Sequence, residues 1–63
     1  MNNLKRLRTG KGLTQAQLAE SAETTLRTIQ KYENGELDLR KAQVQTVLKM
    51  AQALGCSVED IIK

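Results

Sequence analysis

The amino-acid sequence predicts an all-α fold, a compact bundle of five short helices, from three observations. Between Ala42 and Leu54 the apolar residues Val44, Val47, Leu48, Ala51 and Leu54 recur at the i, i+3, i+4, i+7, i+10 spacing of one helix face. The chain has no proline, a single aromatic residue in Tyr32, and no strand-like alternation of apolar and polar positions. Side chains that cap helix ends recur along it at intervals suited to short elements. With 63 residues the chain can enclose one small core, so a single domain over 1–63 is expected. A second domain or a deep enclosed pocket is excluded.

Each helix has its own signals. Leu4 and Leu7 follow Asn2 and Asn3, either of which can cap, and Gly10 and Gly12 close a first helix over about 3–11. Thr14 with Gln17 three residues later forms a capping box for a second helix, Gln15 to Ser21, that buries Leu18 and Ala19. The four residues Ser21 to Thr24 suit a tight turn. Thr25 then opens a third helix, about 25–34, that Asn34 and Gly35 end. Around it Thr25, Ile29 and Tyr32 share one sector, while Arg27, Gln30, Lys31 and Asn34 point to the other side. The fourth helix is the periodic stretch from Ala42, closed by Gly55, and Ser57 with Asp60 caps a short fifth helix carrying Val58, Ile61 and Ile62. The segment Glu36 to Lys41 reads as a charged connection.

Composition excludes several classes. One cysteine, Cys56, makes no internal disulfide, and no apolar run suits a signal peptide or a membrane span, so a cytoplasmic protein is expected. Without histidine, a glycine-rich phosphate loop or a nucleophile with a base partner, an enzyme is not expected, and neither a cofactor nor a metal is implied. One tyrosine is too few aromatics for single-strand stacking. The net charge is +3 with a pI near 9.4, and it is unevenly spread. Residues 1–31 carry six basic against two acidic side chains, residues 32–63 four against five. A phosphate-facing half on a neutral scaffold has that distribution, and so does an ordinary solvated surface.

Two short helices joined by a tight turn, the second with an apolar inner and a basic outer face, form a helix-turn-helix arrangement. The major groove of B-DNA admits one α-helix, and the preceding helix crosses the backbone to hold it. Three stretches make the likeness specific: Gly12-Leu13-Thr14-Gln15-Ala16-Gln17-Leu18-Ala19, Thr28-Ile29-Gln30-Lys31-Tyr32-Glu33-Asn34-Gly35, and Ala53-Leu54-Gly55-Cys56-Ser57-Val58-Glu59-Asp60-Ile61-Ile62. In this order and spacing, residues 4–62 resemble the Cro/repressor-like (XRE-type) helix-turn-helix family, whose members regulate transcription in bacteria and phages.

The resemblance implies a lambda-repressor-like five-helix fold and assigns roles. Gln15, Thr25 and Asn34 would contact phosphates of a double-stranded operator, positioning without specifying. Leu26, Arg27, Thr28, Gln30 and Lys31 would face the bases. Arg27 is the first candidate reader because guanidinium bonds guanine bidentately, and Leu26 stands between core rim and thymine-methyl contact. Arg8 would pair with Glu33, fixing the first helix to the third. Lys5, Arg6 and Lys11 are candidates for general phosphate attraction, Gln17 for a surface role, and Cys56 and Tyr32 for the core.

The chain departs from the family at Glu23, where a glycine is usual in the turn, and at Gly10 inside the first helix. Both imply modest stability. Leu37, with Leu39, Met50 and Ile62, is the expected homodimer contact, since such proteins typically bind inverted repeats as two-fold dimers. The alternative reading is a protein-binding module of the same fold, an antitoxin or adaptor. The basic outer face of the third helix speaks for DNA.

Overall fold

The computed structural model describes residues 2–62. Among these the chain forms five α-helices, α1 (Leu4–Gly10), α2 (Gln15–Ser21), α3 (Leu26–Glu33), α4 (Val44–Leu54) and α5 (Val58–Ile62), with a 3-10 turn at Leu39–Lys41. Local chemistry sets most of the boundaries. The Thr14 hydroxyl accepts the Gln17 N–H at 3.0 Å while the Gln17 side-chain oxygen Oε1 accepts the Thr14 N–H at 2.8 Å, the reciprocal box that starts α2. The Thr25 hydroxyl accepts the Thr28 N–H at 3.2 Å and starts α3. Ser57 and Asp60 exchange two such bonds, both 3.2 Å, ahead of α5. Gly55 ends α4 at φ +66°, in the left-handed region where a side chain costs energy.

α1 begins at one of the two asparagines expected to cap it. Asn3 occupies the cap position without capping, and the Asn2 side chain accepts the Leu4 N–H at 3.0 Å instead. Asn3 is engaged elsewhere, donating its backbone N–H to Ile61 O at 3.0 Å and its side-chain amide to Asp60 O at 3.1 Å. The start of α1 is thereby held to α5. Gly10 lies in the last turn of α1, and a Cβ added there meets nothing within 4 Å. Gly10→Ala is therefore expected to raise stability by about 0.5–1 kcal/mol in a urea melt, by removing backbone freedom from the unfolded chain.

The core is built from one fully buried side chain per helix: Leu4, Leu18, Ile29, Met50 and Ile61. Ala19, Ala22, Leu39, Ala51 and Leu54 close around them, with Leu7, Leu13, Tyr32, Cys56 and Val58 partly buried against the cluster. α2 packs on α3 and α4, and α1 on α3 and α5.

Two expected dimer contacts prove to be core. Leu39 is buried because the 3-10 turn, started by the Asp38 carboxylate accepting the Arg40 N–H at 2.9 Å, directs Leu39 inward while its charged neighbours stay in water. Met50 is fully buried because the packed face of α4 runs through Val47, Met50, Ala51 and Leu54. Val44 and Leu48, which share the same apolar spacing, stand outside that face at 71% and 46% exposure. α4 also starts at Val44 rather than Ala42, since Ala42 closes the 3-10 turn.

Candidate nucleic-acid interface

The turn between α2 and α3 is held from both sides. Thr24 N–H donates to Ala19 O at 2.9 Å, Ala22 is buried, and Glu23 takes φ +55°. A non-glycine residue in that region costs about 1–2 kcal/mol, and here the Glu23 carboxylate pairs with Lys49 of α4. With Ile29 fully buried and Tyr32 partly so, α3 is seated by its inner face.

Its outer face stays open. Arg27 and Gln30 are exposed, Leu26 is 43% exposed, and Thr28 and Lys31 are half-buried. Among the described residues neither Arg27 nor Lys31 pairs with a carboxylate. The Thr28 hydroxyl is occupied locally, 2.8 Å from that of Thr25. Leu26 is thus an exposed residue at the edge of the core rather than a member of it.

At the other end of α3, Glu33 turns inward and meets Arg8 of α1. The guanidinium donates to both carboxylate oxygens, Nε to Oε2 at 2.6 Å and Nη2 to Oε1 at 3.1 Å, and its Nη1 donates to Leu13 O at 2.8 Å. Both side chains are nearly buried, at 10% and 4% exposure. Burial pushes the Glu33 carboxyl upward, but hydrogen bonds from Arg8 and Gln15, with the charges of Arg8 and Lys5, outweigh it and hold the group below its ordinary value.

Gln15, the first residue of α2, joins this pair. Its side-chain amide donates to Glu33 Oε1 at 3.0 Å, and its own oxygen lies 3.5 Å from the Gln30 amide. Lys5, Gln15, Gln30, Glu33 and Asn34 line an open depression of about 390 Å³ between the ends of α2 and α3. The Asn34 side-chain oxygen accepts the Glu36 N–H at 3.0 Å, which leaves its amide as a donor. The depression therefore presents several N–H donors, and the one carboxylate in its wall is neutralised from behind by Arg8. Lys11 sits apart from it, with its ammonium beside Gly55 at the C-terminal end of α4.

The link from Gln15 to Glu33 and the Glu23 to Lys49 pair were not foreseen. Neither follows a helical or strand spacing; each depends on how two helices cross. Cys56 is half-buried, and burial and the Asp60 charge raise its thiol above the ordinary value.

A search of curated proteins gives no match. The model of a helix-turn-helix family does match, over residues 4–61. A buried inner face on α3, a tight turn that fixes α2 against it, and an exposed basic outer face are what that family requires. The chain belongs to the helix-turn-helix family of the Cro/repressor-like, XRE type, a family of DNA-binding regulators.

Proposed function

We propose that this chain acts as a transcriptional regulator, a repressor, that binds a specific double-stranded DNA sequence as a homodimer. The observation that carries the reading is the outer face of α3, where Arg27 and Lys31 stand without acidic partners on a helix whose inner face is anchored in the core. Laid in the major groove, α3 presents Arg27 for a guanine edge, Leu26 for a thymine methyl, and Thr28, Gln30 and Lys31 for the neighbouring positions. Gln15, Thr25 and Asn34 hold the flanking phosphates and set the register.

The test is selection from randomised duplexes with Arg27→Ala in parallel. Enrichment of an inverted repeat with half-site centres about one helical turn apart is expected. Arg27→Ala is expected to cost about 1–3 kcal/mol and to relax preference at one base of each half-site. Affinity should fall steeply as salt rises, because each neutralised phosphate releases counterions. No enrichment would transfer the reading to a protein partner.

For the homodimer we assign a surface that retains Ile62 of the contact expected from sequence. With Leu39 and Met50 in the core, exposed Val44 stands over a groove lined by Leu39, Arg40, Ala42, Val47, Val58 and Ile62. An interface of about 800 Å² per partner is a fifth of this molecule's 4235 Å² surface, so DNA-coupled dimerisation is expected. Val44→Asp should leave the melt unchanged, since Val44 is 71% exposed. Sedimentation and gel shifts should show monomers that bind single half-sites and no longer fill an inverted repeat cooperatively.

A further inference from the structure

Glu33 is joined to two things at once: Arg8 behind it and Gln15 in front. An ionised carboxylate only accepts hydrogen bonds, so the Gln15 amide must turn its nitrogen, not its oxygen, toward Glu33. That nitrogen carries two hydrogens. One is taken by Glu33 Oε1 at 3.0 Å, which leaves the other as a donor on a residue that lines the depression with Lys5, Gln30 and Asn34. Without the carboxylate only the long 3.5 Å contact with the Gln30 amide would hold the side chain, and its donor would be aimed only part of the time.

We infer that Glu33 is a positioning residue for DNA binding: held in place by Arg8, it orients the Gln15 amide so that its second N–H meets a backbone phosphate. A buried negative charge thereby serves the capture of an external one. Arg8 has a double task, anchoring α3 and cancelling the charge that would otherwise repel the phosphate. This inference rests on the DNA-binding reading above and adds a role for a residue that touches no DNA.

The experiment uses the full chain, the duplex enriched in the selection, and alkylation of individual phosphates to map which of them binding requires. Glu33→Gln is expected to weaken binding about tenfold, the worth of one charge-assisted hydrogen bond. It should abolish the requirement at one phosphate per half-site, the same one lost in Gln15→Ala, and leave the other phosphates in force. Adding Glu33→Gln to Gln15→Ala should then cost nothing more. Equal weakening at every phosphate, an undiminished loss in the Gln15→Ala background, or unchanged binding would overturn the inference. If Glu33→Gln melts too low to assay, Glu33→Asp, which keeps the charge and withdraws it from Gln15, should show the same single-phosphate loss. Failure of the wild-type chain to enrich any duplex refutes the DNA-binding reading itself and is seen before any variant is made.

Discussion

Arg8→Met is expected to lose about 3–5 kcal/mol of stability, because it strands a buried carboxylate. Domains of this size hold roughly 3–9 kcal/mol in all, so much of the population unfolds at room temperature. Three bonds disappear together: the two to Glu33 and the one to Leu13 O. The remaining Gln15 amide at 3.0 Å is neutral and replaces little of the lost charge compensation. Arg8→Met with Glu33→Met should recover most of the loss in a urea melt, since an apolar pair has no charge to desolvate. A single variant within 1 kcal/mol of wild type would mean that water reaches Glu33 freely. Acid titration gives a second reading. In the wild type the Glu33 carboxyl is held low, so its contribution is fully present above about pH 4.3 and is lost as pH falls through the folded-state value. Without Arg8, burial is the largest influence left, and that part of the acid sensitivity should flatten or reverse.

Met50→Ala carries the second large effect, about 2–5 kcal/mol. Met50 is fully buried among residues of the other helices, and cutting it back leaves a cavity in the one cluster that all five helices share. The same substitution at a surface position would cost a few tenths. A melt therefore distinguishes Met50 as a core residue from Met50 as a dimer contact. Leu48→Ala, on the exposed side of the same helix, should move the midpoint far less.

Met50 also marks where the sequence stops being legible. Helix starts could be read because their causes are local: Thr14 with Gln17, Thr25 with the amide of Thr28, and Ser57 with Asp60 lie within three residues of what they bond. The phase of α4 could not. Its apolar arc from Val44 through Met50 is wider than the face its neighbours cover, and only the positions of α2 and α5 decide which edge stays wet. Leu39 was hidden for another reason, since a three-residue 3-10 turn leaves no periodic trace. In the candidate site, the outward residues of α3 follow from helix angle alone. The Arg8 and Glu33 contact, spanning 25 residues, came from family resemblance, and the bond from Gln15 to Glu33 from neither source.

The bonds from Asn3 to Ile61 and Asp60 have a consequence for folding. They close a loop of nearly the whole chain, and in such a loop the contact forms late, after the helices between have condensed. α1 carries Arg8, so this late tie also steadies the helix that clamps α3. During folding α2, α3 and α4 can gather around Leu18, Ile29 and Met50, while the tie that holds the start of α1 waits for α5. A chain cut before α5 should thus keep Arg8 within reach of Glu33 but lose the tie that steadies the helix carrying it.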